Sequence, residues 1–271
     1  MITSLTRTPL HTTGSRILLA YIGAAILWRV TSALPEVPFL YGALADVPLP
    51  PRSVYTLYTI WSLAALGLIT ARYTRVCTLI ALLAYSVDAL AGLHNAGDHL
   101  ARITLVYALL LDEDVMRGKK KVGPTVFFHN LGVIAITVQL CIVYVNASLW
   151  KLYGPDNLWL EGTMLYYVTH LQSYGMTWSG WLFESPFIVY TATYMTLLYQ
   201  LSFLPLLFTR WHWVSVLIGA GLHLGIGLVL GLMPFGLTVT GLVLFTLRDA
   251  TWRRVGEYLR VRTLGGRVSS S

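Results

Sequence analysis

One lysine in this 271-residue sequence stands apart from the others. Lys119, Lys120 and Lys121 form a run, whereas Lys151 follows a long apolar stretch and opens the segment KLYGPDNLWLEG. Burial disfavours an ammonium, so a lysine beside a membrane pocket can act as a base at neutral pH; at a helix end the same side chain can instead snorkel as an anchor. Glu161, across the turn at Gly154 and Pro155, is a candidate ion-pair partner that would keep Lys151 charged. Other polar residues interrupt apolar runs: Asp88, His129, Asn130, Gln139, Asn146, Gln200 and His223. Each is costly in a bilayer unless it faces a bundle interior, and hydrogen bonding between helices is the ordinary use of such a residue. Gln139 and Asn146 are seven residues, two helical turns, apart, so they share a face that runs toward the Lys151 end.

His223 lies in a glycine-rich stretch with Gly219, Gly221, Gly225, Gly227 and Gly231, which leaves room for close helix packing or for a flat ligand. His94, Asn95, Asp98 and His99 fall on one connection, on the same side of the membrane as Lys151, but their spacing matches no metal-ligand signature and no metal is expected. Asp88 is a candidate to neutralise Arg29 or Arg102. Cys77 and Cys141 both sit inside apolar segments and read as small buried hydrophobes. Motifs for a nucleophilic serine hydrolase, a zinc protease or a nucleotide-driven mechanism do not occur. No internal repeat or pair of broken helices suggests a secondary transporter.

The elements that must hold these residues are membrane helices. The chain is 56% hydrophobic and only 11% charged, where a soluble domain carries about a quarter charged residues; its mean hydropathy is +0.65. At about 20 apolar residues per crossing, spans are predicted at 17–34, 54–71, 76–93, 100–115, 125–150 and 187–208. The uncharged run 211–247 would make roughly 55 Å of helix at ~1.5 Å per residue, too long for one crossing. It must fold back, with the natural break at Met233, Pro234, Phe235 and Gly236. The expected fold is therefore all-α: a polytopic bundle of about eight transmembrane helices, with interfacial or re-entrant helices in the outer loop around Gly162 to Tyr174. Five prolines between Pro35 and Pro51 predict an irregular cap rather than a helix. The organisation is a cytoplasmic segment 1–16, a transmembrane domain 17–247 and a basic cytoplasmic tail 248–271. The first apolar run resembles a signal peptide but lacks a clear cleavage site after Leu34, so it is expected to remain as the first helix.

Net charge is +7, yet the cations cluster between apolar segments, so topology rather than nucleic acid accounts for them. With eight spans and the amino terminus inside, fifteen of the nineteen Lys and Arg residues fall on the inner side, as the positive-inside rule requires. The carboxyl tail reads as an amphipathic basic segment at an anionic inner surface, ending in a disordered run.

The segment QLCIVYVNASLWKLYGPDNLWLEGTMLYYV resembles the bacterial HTTM (horizontally transferred transmembrane) family, relatives of the membrane part of vitamin K-dependent gamma-glutamyl carboxylase that include the sporulation-delaying-protein-B type. The similarity lies in Gln139, a tyrosine-small helix end, the pair Lys151-Leu152, and Trp159 with Gly162 before an apolar helix. HNAGDHLARI and HLGIGLVLGLMPF, which begins at His223, are similar to further family segments, and the likeness spans about 15–247. It implies that Lys151 occupies the position of the base that deprotonates vitamin K hydroquinone in the carboxylase. Trp150 replaces the first lysine of the carboxylase motif, Gln200 stands where relatives often have glutamate, and the large lumenal domain is missing. The resemblance thus implies maturation of a secreted peptide precursor at the outer face of the plasma membrane, with a small partner protein. Lys151 and His223 are the expected catalytic pair, and Gln139, Asn146, Trp159, Glu161, Asn95 and Asp98 the expected substrate-binding residues. Two alternatives remain: a membrane enzyme linked to a quinone-type lipid, and a non-catalytic scaffold or immunity component.

Overall fold

The computed structural model describes residues 5–44, 48–92, 95–155, 157–171 and 180–265. Among them the chain is all-α, with nine long helices: α1 (Thr12–Ala33), α2 (Pro51–Ile69), α3 (Thr74–Leu90), α4 (Ala96–Ala108), α5 (Pro124–Tyr153), α6 (Pro186–Leu207), α7 (His212–Val229), α8 (Met233–Phe245) and α9 (Asp249–Gly265). Four stretches are long and apolar enough to cross a membrane: Thr12–Gly42, Pro124–Tyr153, Pro186–Leu207 and His212–Val229.

Helices α1 to α7 pack in chain order, each against the next, and α8 then fills the centre against α1, α4, α5 and α7. Almost every residue of α8 after Phe235 is buried, as expected of a helix that is apolar all round. Small residues allow the approach: a Cβ at Gly14 would overlap the Phe245 carbonyl, and one at Gly241 would overlap Tyr21.

Hydrogen bonds gather one set of helix ends at the end of the bundle that holds the amino terminus. His11 brings no side-chain cap to α1; Asp249, at the start of α9, accepts from the Thr12 and Thr13 amides, both at 2.9 Å, and from the Thr12 hydroxyl at 3.0 Å. A carboxylate there also suits the positive end of the helix dipole. Near the start of α5, the Asn130 amide donates to the Leu5 and Thr8 carbonyls and its oxygen accepts from the Leu10 amide. Arg117, after α4, donates to the Ala71 carbonyl between α2 and α3 at 2.8 Å. The eight bundle helices therefore alternate in direction, with both α1 and α9 beginning at this terminal end.

Two expectations change. Residues 34–44 are not an irregular cap: short helical pieces, Leu34–Glu36, Val37–Phe39 and Leu40–Leu44, prolong α1. Pro35 and Pro38 fall in the first positions of the first two pieces, where a missing amide costs nothing. The break before α8 lies at Leu230 to Leu232, slightly ahead of the expected place, with Pro234 in the first turn of α8. In the long connection, Met164–His170 is helical. Gly180–Glu184 at its distal end is a short helical turn, whereas residues 172–179, His94 and the run after Gly265 lie outside the described residues.

Candidate functional site

Two polar groups occupy the far end of the bundle, opposite the terminal end. The first is built on Arg29 of α1. Its guanidinium reaches Asp88 of α3 at 2.7 Å and Asp98 of α4 at 2.8 Å, and both carboxylates are buried. The Tyr41 hydroxyl donates to Asp88 and lies 3.2 Å from the Tyr58 hydroxyl. Asn95 starts α4 with a reciprocal capping box: its side-chain oxygen accepts from the Gly97 and Asp98 amides, while Asp98 accepts from the Asn95 amide at 3.0 Å. Asn95 and Asp98 thus serve helix capping and the Arg29 ion pairs. Arg102 approaches His99 instead, at 3.0 Å.

The second group is built on α5. Tyr144 and Lys151 are seven residues apart and share a face. The Tyr144 hydroxyl meets His223 Nε2 of α7 at 2.8 Å, and its ring stacks on Phe203 with centroids 4.2 Å apart and meets Tyr199 edge-on. Gly219 makes room for Tyr199, since a Cβ there would overlap the tyrosine hydroxyl. His223 is 3% exposed, and its Nδ1 has no hydrogen-bond partner among the described residues. Lys151 is part-buried. Lys151 Nζ donates to the Ala147 carbonyl at 3.4 Å and sits 4.6 Å from the centre of the Trp159 ring, a cation–π arrangement.

Trp159 is positioned by the turn that follows α5. Gly162 adopts φ +76° beneath Tyr190 and Tyr194, where a Cβ would overlap the Tyr190 ring. The Tyr194 hydroxyl of α6 donates to the Leu160 carbonyl at 2.8 Å. The tryptophan-x-x-glycine spacing is therefore what folds Trp159 back over Lys151. Glu161 is exposed and makes no ion pair with Lys151.

Gln139 is part-buried and Asn146 exposed, and neither joins Lys151. Five helical residues turn about 140° beyond a full circle at 3.6 residues per turn, so Asn146 points well away from the Lys151 face. It lines an apolar groove of about 620 Å³ with α6 residues Leu204 and Leu207. Sequence reasoning missed Tyr144, Tyr199 and Phe235; the seven-residue step back from Lys151 was the signal for Tyr144. No group of three or more potential metal ligands occurs among the described residues.

Comparison with protein-family models, with curated proteins and with solved structures finds no match.

Proposed function

We propose that this chain is a plasma-membrane protein of the HTTM or sporulation-delaying-protein-B type, acting on a secreted peptide at the extracytoplasmic face through Lys151 and His223. The observation that carries this reading is the setting of Lys151: a part-buried ammonium over Trp159, with no carboxylate partner among the described residues and with Tyr144, the partner of buried His223, two turns back on the same face of α5. Lysine in an apolar site is a side chain that can serve as a general base. Eight crossings with both termini cytoplasmic agree with the alternating helices and with the cations gathered at the terminal end; the far end is then extracytoplasmic. In this topology a small partner protein meets the far-end surface.

A quinone-linked reading needs an apolar slot opening to lipid beside Lys151; the apolar grooves between α5 and α6 and between α6 and α7 are lined by neither Lys151 nor His223, which favours the peptide reading.

The test is Lys151→Ala in cells carrying the native gene neighbourhood, with membrane level checked and secreted peptides read by mass spectrometry. Loss of the mature peptide at an unchanged protein level is the expected result. An unchanged peptide makes Lys151 an interfacial anchor and the chain a scaffold. Cysteines at positions 151 and 120 should label from the outside and inside respectively; the opposite pattern overturns the topology.

A further inference from the structure

A cavity of about 570 Å³ opens at the far end, lined by Trp28, Arg29, Glu36, Tyr58, Asn95 and Phe235 among others, within the ~300–1,000 Å³ of small-ligand clefts. Phe235 is half-buried. The same ring meets the His223 imidazole nearly edge-on, with centroids 5.9 Å apart and planes at 72°. One aromatic side chain therefore touches both an open cavity and a buried imidazole whose Nδ1 has no partner among the described residues. Leaving such a nitrogen unsatisfied is costly, and a native structure that does so calls for an explanation. The backbone carrying the ring is pinned on both sides. A Cβ at Gly97 would press on Cα and Cβ of Phe235, and one at Gly236 would overlap the His223 carbonyl. What remains free to move is the side-chain torsion of Phe235.

We propose that this cavity is the ligand entrance to His223, and that the Phe235 ring is a swinging partition which, on rotating, joins the cavity to Nδ1. The ligand it fits is an extended peptide segment. Ser32, Glu36 and Asn95 offer separated donors and acceptors for a peptide backbone, while Trp28, Leu40 and Phe235 form apolar walls for its side chains. The peptide assignment rests on the functional reading above; the partition does not.

The experiment uses the purified full chain and diethyl pyrocarbonate, a small reagent for unprotonated imidazole, with each histidine followed by peptide mass spectrometry. Modification of a buried group follows the population of its open state, so His223 should react slowly in the natural protein and about tenfold or more faster in Phe235→Ala. His129, fully buried at the terminal end, should stay slow in both. If Phe235→Ala does not fold, Phe235→Leu replaces it, with an increase in the same direction. An unchanged His223 rate, or a matching rise at His129, overturns the partition. Triglycine amide at millimolar concentration should slow His223 modification in the variant while octanol does not; the reverse overturns the peptide assignment. These rates are read without peptide maturation, so a null result for Lys151→Ala leaves them unaffected.

Discussion

Arg29 and Lys151 lie at the same end of the bundle, each at least partly withdrawn from solvent, and their surroundings are opposites. Arg29 is held by two buried carboxylates from two further helices, one of which also accepts from a tyrosine. Lys151 has a backbone carbonyl at 3.4 Å and the face of an indole. The fixed partners of Arg29 tie α1, α3 and α4 together. The contacts of Lys151 stay within α5 and the turn that follows it. Saturation of partners separates the cation that joins three helices from the one that, among the described residues, meets only a backbone carbonyl and an indole face.

The strongest way to break this contrast is Arg29→Met, which leaves Asp88 and Asp98 buried without their cation. Removing one partner of a buried pair costs about 3–5 kcal/mol, and chemical unfolding in detergent should show a loss of that size. A loss near zero would mean that the carboxylates do not depend on Arg29. Tyr144→Phe should cost about 1–3 kcal/mol, because it strands His223 Nε2 as well as Nδ1 in the interior; the same unfolding assay reads it. Lys151→Ala should change stability by no more than about 1 kcal/mol, the worth of a part-exposed cation–π contact, while abolishing the mature peptide. A Lys151 variant as unstable as Arg29→Met would erase the distinction.

The smallest effect belongs to the terminal end. The Asp114 carboxyl is held below its ordinary value by hydrogen bonds from Lys119 and Lys121. A lowered folded-state pKa stabilises the protein above the unfolded value of 3.8, and the contribution is lost as pH falls through the folded value. The gap in melting temperature between the natural protein and Asp114→Asn should therefore be slight near pH 6 and close as the solution is acidified below about pH 4. A gap that widens on acidification contradicts the pairing.

Much of the fold was legible because apolar runs set helix positions directly: α5 and α6 appear close to where the runs of about 20 or more residues place them. Asn95 with Asp98 three positions on carried the capping signal before α4. The Asp88 partner was half legible, since either Arg29 or Arg102 was open from the sequence and only packing selects Arg29. Residues 34–44 misled because proline breaks a helix only where an amide is needed, and each short helical piece restarts the count. The site was less legible. Amides and charges stand out in an apolar helix and a tyrosine does not, so Asn146 is conspicuous in the sequence while Tyr144 holds the partner-facing position. The contact of Phe235 with both His223 and the cavity depends on the close meeting of α4, α7 and α8 at Gly97 and Gly236, which no local pattern encodes.

Helices α4 and α8 are the shortest of the bundle, 13 residues each or roughly 20 Å, and α8 is walled in by helices made before it. Its packing partners α1, α4, α5 and α7 all precede it in the chain, so the surface that receives it, with Gly14 and Gly227 at its close contacts, exists before α8 is made and α8 closes the bundle as a plug would. A chain ended before Met233 should be receptive to that plug supplied as a separate peptide, which would make the last step of assembly a bimolecular reaction open to titration.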